Sequence, residues 1–92
     1  MGQSLKAAHG GIAQFADEGS AWLDLGIRYS SGGGGTGIDL VEAHKWFNLA
    51  AMLGLDAAQA WRSEIAADMT AAQIAAAQKA ARAFLASGAR AH

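Results

Sequence analysis

The sequence contains neither cysteine nor proline. Without cysteine it can form no disulfide framework, thiol nucleophile or thiolate metal site, which is typical of an intracellular protein. Without proline the usual helix breaker is missing, so the 12 glycines must separate the helices. Charge is sparse and balanced, with seven basic and eight acidic residues spread along the chain. This distribution gives no concentrated phosphate-binding face, and we therefore expect no nucleic-acid partner.

Long apolar runs are also absent, although 52% of the residues are hydrophobic. Polar residues interrupt the N-terminal stretch, which therefore lacks the apolar segment of a secretory signal: Lys6, His9, Gln14, Asp17 and Glu18. We expect no membrane association and a cytoplasmic location. The 92 residues, 24 of them alanine, suffice for one small helical domain with a modest core.

Helical periodicity and capping residues predict an all-α fold of about five antiparallel helices within residues 1–92. The predicted segments are an N-terminal capping helix at 4–17, a helix-loop-helix unit at 20–54, a further helix at 55–69, a C-terminal capping helix at 70–87 and a tail at 88–92. Three capping boxes mark helix starts, namely Asp39 with Glu42, Asp56 with Gln59, and Thr70 with Gln73. Gly54 and Gly88 mark helix ends.

The helix from Asp39 to Gly54 carries the strongest pattern. Its apolar stripe consists of Ala43, Trp46, Phe47, Ala50, Ala51 and Gly54. The preceding helix presents to its partner Ala21, Trp22, Leu25, Gly26 and Tyr29. Glycine 26 in mid-helix predicts a close approach by another helix, which a Cβ atom would obstruct. The segment from Ser30 to Ile38 predicts a flexible connection, because it lacks the Lys and Ser/Thr of a phosphate-binding loop.

Together these residues resemble the Sel-one-like repeat, a relative of the tetratricopeptide repeat with a longer, glycine-containing loop. The resemblance covers residues 21–54 and is carried by Ala21, Leu25, Gly26, Tyr29, Gly32, Gly34, Asp39, Ala43, Trp46, Phe47, Ala50, Ala51 and Gly54. The loop departs from the pattern at Gly35, where an aliphatic residue is expected, and Asp39 follows one residue late. The resemblance implies an α-solenoid unit in which residues 56–69 are a degenerate repeat helix and the end helices act as caps.

The resemblance also implies a scaffold that binds a partner protein or peptide and uses no cofactor. The expected contact surface is the helix-A layer, formed by the first helix of each repeat. Its candidate residues are Asp24, Ile27 and Arg28, and Asn48 is added to them from the central helix. Asp24 and Arg28 could equally serve only to solvate their helix. Two alternatives stay open: the incomplete solenoid could complete itself as a homodimer or larger homo-oligomer, or a small-ligand or metal site could lie between helices.

An enzymatic function has little support in the residues, and we assign no catalytic residue and no metal ligand. His9, His44 and His92 lie on separate elements, and surface exposure is the expected state of each. Glu64 and Asp68 share a helix face, where a solvated acidic surface is commoner than a catalytic carboxylate pair. We therefore expect a protein that is not an enzyme.

Overall fold

Four α-helices build the part of the chain that the structure, a computed structural model, describes, namely residues 18–35 and 37–88. We name them α1 (18–31), α2 (Leu40–Met52), α3 (Asp56–Ala66) and α4 (Ala71–Ala86). No strand occurs in these two ranges, so the predicted all-α class is confirmed. The predicted helix at 4–17 lies outside them, and a fifth helix therefore stays a prediction.

Side-chain caps start α2 and α4, but the predicted capping box is complete only at α4, because the N–H of Asp39 donates to the Tyr29 carbonyl and not to Glu42. The Asp39 side chain accepts a hydrogen bond of 3.1 Å from the backbone N–H of Glu42, and α2 follows directly. At the start of α4 the capping box is complete. The backbone N–H of Gln73 donates to Thr70 Oγ1 at 3.1 Å, and the backbone N–H of Thr70 donates to Gln73 Oε1 at 2.8 Å. These bonds satisfy backbone donors that have no partner inside the helix.

Helix α3 begins and ends differently from the prediction. Asp56 is already the first helical residue, and Leu55 holds the cap position without a side-chain bond, so the predicted box of Asp56 and Gln59 is wrong. The physical reason is packing, because the Leu55 side chain lies against the core and thereby positions the turn. At the other end α3 stops at Ala66 rather than near Met69, and the residues after it form a turn.

The segment between α1 and α2 is bonded to the last turn of α1 at both of its ends. The N–H of Gly32 donates to the Arg28 carbonyl at 2.7 Å, and the N–H of Asp39 donates to the Tyr29 carbonyl at 2.8 Å. Between these bonds Gly33–Gly35 form one short 3-10 turn. The glycines at 32, 34, 35 and 37 have positive φ, which glycine adopts without the steric cost of a Cβ atom. The backbone path therefore requires the glycine-rich composition.

Helix α2 lies at the centre of the described fold, with α1, α3 and α4 packed around it. Two clusters of buried residues form the core: Ala43, Phe47 and Ile65 in the first, and Trp22, Leu49, Ala50, Ala58 and Ala81 in the second. The buried side of α2 is wider than the predicted stripe, since His44 and Leu49 are also buried. The reason is that several helices pack against α2, whereas a single apolar stripe could contact only one of them.

The residues that the repeat pattern assigns to packing differ in their burial. Buried or half-buried are Trp22, Leu25, Gly26, Tyr29, Ala43, Trp46, Phe47, Ala50 and Ala51. Ala21 is exposed, contrary to the expectation, because it lies at the margin of the inward stripe that Trp22 and Gly26 occupy. Gly54 is also exposed and lies in the turn after α2, where its φ is +91°.

An aromatic cluster joins α1, α2 and α4. Phe84 meets Trp22 edge-on, with ring centres 5.7 Å apart, and meets Trp46 edge-on at 5.1 Å. The two tryptophan rings lie 6.3 Å apart. On the outer side Lys45 Nζ lies 4.4 Å from the centre of the Trp46 ring and forms a 2.8 Å ion pair with Glu42. Each aromatic pair adds about 0.5 to 1.5 kcal/mol beyond the area it buries.

Gly26 allows α1 to lie directly on the ring of Phe47. A Cβ atom at position 26 would lie 3.0 Å from Phe47 Cζ and closer still to two other atoms of that ring. Phe47 is completely buried and stacks on Trp61, with ring centres 6.0 Å apart and an angle of 18° between the planes. The ring therefore has no space to move into. The predicted close approach at Gly26 is confirmed.

We expect Gly26→Ala to lower the free energy of unfolding by about 1 to 3 kcal/mol, the usual cost of overpacking. The higher helix propensity of alanine alone would raise the free energy of unfolding by about 1 kcal/mol. The sign of the measured change therefore shows whether the steric contact with Phe47 outweighs helix propensity. Gly33→Ala is the matched control, because a Cβ atom there meets nothing closer than Ser31 Oγ at 3.4 Å, an ordinary van der Waals contact. Urea denaturation of the two variants measures the difference. A Gly26→Ala variant as stable as the natural sequence would disprove this account of α1.

Candidate functional site

The structure separates the four residues predicted to contact a partner. Asp24 and Arg28 are exposed on α1, and within the described residues neither takes part in an ion pair. Ile27 is half-buried and packs against the cluster of Phe47, so only part of its side chain is available. Asn48 lies on α2, where its side chain is bonded to other residues of the fold. Asp24 and Arg28 thus share a surface, and Asn48 belongs to a different site.

A chain of hydrogen bonds links Asn48 to α3 and to the interior of α2. Arg62 Nη1 donates to Asn48 Oδ1 at 2.7 Å, and Asn48 Nδ2 lies 3.1 Å from His44 Nδ1. Since an amide nitrogen can only donate, His44 Nδ1 is the acceptor and the imidazole proton resides on Nε2. His44 is only 3% exposed. The expectation that it lies on the surface is therefore wrong, because α2 is covered on this side as well.

Burial lowers the pKa of His44 from its ordinary value of 6.5, and the positive charge of Arg62 lowers the pKa further. A neutral imidazole at pH 7 fits the hydrogen bond that it accepts from Asn48. Protonation would remove this acceptor and place a second positive charge beside the guanidinium group. The fold therefore favours the neutral form of His44.

A cleft of about 170 Å³ opens beside this chain of bonds, between α2, α3 and α4. Its lining residues are Asn48, Met52, Arg62, Gln78, Ala81, Arg82 and Leu85. The apolar members contribute methyl and methylene groups, and the polar members contribute two amides and two guanidinium groups. Arg82 is exposed and has no hydrogen-bond or ion-pair partner within residues 18–35 and 37–88. No carboxylate of the described chain lines the cleft. Its chemistry suits an anion that carries an apolar group.

A second concave surface, of about 460 Å³, lies on α3. We call it the Trp61 recess, and its lining residues are Ala57, Ala60, Trp61, Ser63 and Glu64. Trp61 is 37% exposed, while its ring stacks on the buried Phe47. The recess therefore presents an aromatic ring that the core holds in one orientation.

Sequence reasoning missed most of the residues in these two sites. Helical periodicity places Trp61 with Ile65 and Met69 on the inward stripe of its helix. For Arg82 the sequence predicts only a favourable position near the negative end of the last helix, and it predicts no role for Met52, Arg62 or Gln78. One signal was available, because Asn48 and Met52 are four residues apart on α2, and Gln78 and Arg82 are four apart on α4. Residues at this spacing share a helix face. The spacing alone does not show that these two helix faces point toward each other.

The acidic residues near the end of α3 do not form a site. Glu64 and Asp68 are exposed, and α3 ends between them, so the expectation that they share a helix face is wrong. Among residues 18–35 and 37–88 no group of three or more His, Asp or Glu side chains could hold a metal ion.

No protein family, curated protein or solved structure matches this chain. The resemblance to the Sel-one-like repeat accordingly stays a prediction. Within the described ranges no helix combines the length and apolar character needed to cross a membrane.

We expect stability to fall as the pH is lowered from 7.5 to 5.5, with a contribution from His44. Because the fold lowers the pKa of His44, the unfolded chain binds more protons below pH 6.5, and acid therefore favours unfolding. Urea denaturation at several pH values should show a weaker decline for His44→Gln than for the natural sequence. Arg62→Gln should raise the pKa of His44, which an NMR titration of the imidazole measures directly. An unchanged His44 pKa in Arg62→Gln would contradict the assigned contact.

Proposed function

We propose that this chain is a non-enzymatic interaction module of the Sel-one-like repeat type, which binds a partner protein or peptide through its helix-A layer. In this assignment α1 is helix A, α2 is helix B, α3 is the degenerate helix A of a second repeat, and α4 is the terminal cap. The observation that carries the proposal is the exposed face of Trp61 in the recess on α3.

Tryptophan, with tyrosine and arginine, is enriched among the side chains that dominate the energy of a protein interface. Its ring is already held in place by the stack on Phe47, so binding would cost it little conformational entropy. Ala57 and Ala60 beside it are small and exposed, which leaves room for a partner side chain or helix. The recess thus combines an apolar anchor with open access.

Charged residues of the same layer support a specific contact. Glu64 at the recess follows Asp24 by 40 residues, the same offset that relates Ile65 to Leu25 in the proposed repeat. Asp24 and Arg28 are exposed one helical turn apart. Charges on a binding surface select among partners and speed association more than they add affinity.

Homo-oligomerisation is the second candidate, and exposed apolar side chains favour it. Ile38 is 69% exposed and Met52 is 64% exposed. A second copy of the chain could cover such side chains, as in symmetric dimers. Light scattering over a concentration series distinguishes the two candidates, since an adaptor stays monomeric without its partner and a self-assembling module does not.

We expect Ala60→Arg to weaken partner binding, because it fills the Trp61 recess with a charged side chain at an exposed helical position. Ala76→Arg is the matched control, an exposed alanine on α4 outside the recess. Both variants should retain the circular dichroism spectrum and melting temperature of the natural sequence. The measurement is quantitative affinity capture from cells that express the protein, followed by calorimetry with the purified partner.

A partner retained by Ala76→Arg and weakened at least about tenfold by Ala60→Arg supports the proposal. Equal binding by both variants would show that the Trp61 recess is not the contact surface. A further variant, Asp24→Asn with Arg28→Gln, tests the charged part of the layer. We expect it to slow association and reduce the dependence of the rate on salt.

A further inference from the structure

The cleft between α2, α3 and α4 has the lining of a binding site for a small ligand. We propose that it binds a small aliphatic carboxylate, with the carboxylate on the guanidinium groups of Arg62 and Arg82 and the aliphatic chain on Met52 and Leu85. This site is independent of the proposed function, because it lies on other side chains than the Trp61 recess.

The charge of the cleft is the first argument. Arg62 and Arg82 both line it, and within residues 18–35 and 37–88 neither is paired with a carboxylate. Arg62 uses Nη1 for Asn48, and its guanidinium group has further N–H donors available. The planar guanidinium fork matches the paired oxygens of a carboxylate or a phosphate. Two such groups at one cleft therefore select an oxyanion of this kind, and the carboxylate is the smaller of the two.

The lining between the arginines is the second argument. Met52 lines the cleft and is 64% exposed, so its side chain is accessible to a ligand. Ala81 is buried and Leu85 is half-buried, so the floor of the cleft is apolar. A bare inorganic anion would leave this floor in contact with water. An aliphatic chain attached to the anion would cover it.

The size of the cleft is the third argument. Its volume of about 170 Å³ is below the ~300 to 1,000 Å³ of pockets for drug-sized ligands. A cavity of roughly 150 Å³ holds a benzene molecule of six carbon atoms. The cleft therefore fits a branched acid of about six carbons, such as 4-methylpentanoate. A peptide terminus would place most of its backbone outside, and we accordingly assign the site to the free acid.

The experiment is an NMR titration of the full 92-residue chain with sodium 4-methylpentanoate at constant ionic strength. We expect saturable shifts of the Asn48 and Gln78 side-chain amides, with a dissociation constant on the order of 1 mM. Acetate should bind at least about tenfold more weakly, because it lacks the aliphatic chain. The neutral 4-methylpentanamide should give no saturable shift. The imidazole of His44 supplies a second readout, because a carboxylate on Arg62 would raise the pKa of His44.

Arg82→Gln should weaken binding at least about tenfold, since it removes one charge-assisted contact. Arg82 has no partner among the described residues, so the fold should keep its melting temperature. Lys79→Gln is the matched control, because it removes one positive charge from α4 outside the cleft. Ala60→Arg should bind the acid as the natural sequence does, which separates this site from the Trp61 recess.

Three outcomes would overturn the inference. Equal affinities for acetate and 4-methylpentanoate would show that the cleft binds anions in general and that its apolar floor does not contribute to binding. Equal loss in Lys79→Gln and Arg82→Gln would show that only net charge matters. Tighter binding of a tripeptide that ends in leucine than of 4-methylpentanoate would assign the cleft to a peptide carboxylate.

Discussion

Helix α1 can lie on α2 because residue 26 has no side chain. The ring of Phe47 occupies the space that a Cβ atom would need, and the same ring stacks on Trp61 of α3. One completely buried side chain therefore contacts two of the three helices that pack around α2. Any change that moves this ring also changes how α1 and α3 are placed. The Trp61 recess depends on the same contact, since the stack on Phe47 orients the exposed tryptophan.

The central position of α2 explains why a polar residue is buried in this small core. A helix with one covered face can keep its polar residues in water, whereas α2 has neighbours on several sides. His44 is consequently enclosed, and it needs a hydrogen-bond partner. Asn48, one turn further along, provides that partner and is in turn bonded to Arg62. Helices α3 and α4 each pack on α2, and the cleft lies where these three helices meet.

Local signals were sufficient to predict much of the fold. Asp39 and Thr70 cap their helices with side-chain oxygen atoms, and this bond depends only on residues within one turn. Asp56 has the same sequence signature, yet Leu55 takes the cap position because its side chain is anchored in the core. Gly26 was predictable because an unfavourable residue in mid-helix needs a tertiary reason. Where a residue's position depends on a contact with another helix, the local sequence pattern does not predict that position.

The candidate sites depend on such contacts between helices. Arg62 was visible in the sequence only as a basic residue, and its role follows from its bond to Asn48, 14 residues earlier. The exposure of Trp61 was likewise hidden, because its aromatic character indicates burial and one side of its ring is indeed covered. Periodicity ranks residues by type and spacing. It contains no information on which faces of separate helices meet.

The contact between α2 and α3 supports both the Trp61 recess and the cleft, and it places them on different sides of α3. Phe47 stacks on Trp61, and the next residue on each helix forms the next pair, since Arg62 donates to Asn48. Consecutive residues of an α-helix point about 100° apart, so the aromatic pair and the polar pair lie on different sides of α3. A substitution at Phe47 or Asn48 would disturb the packing that both surfaces share. Substitutions at Ala60 and Arg82 act on one surface each, because neither side chain takes part in that contact.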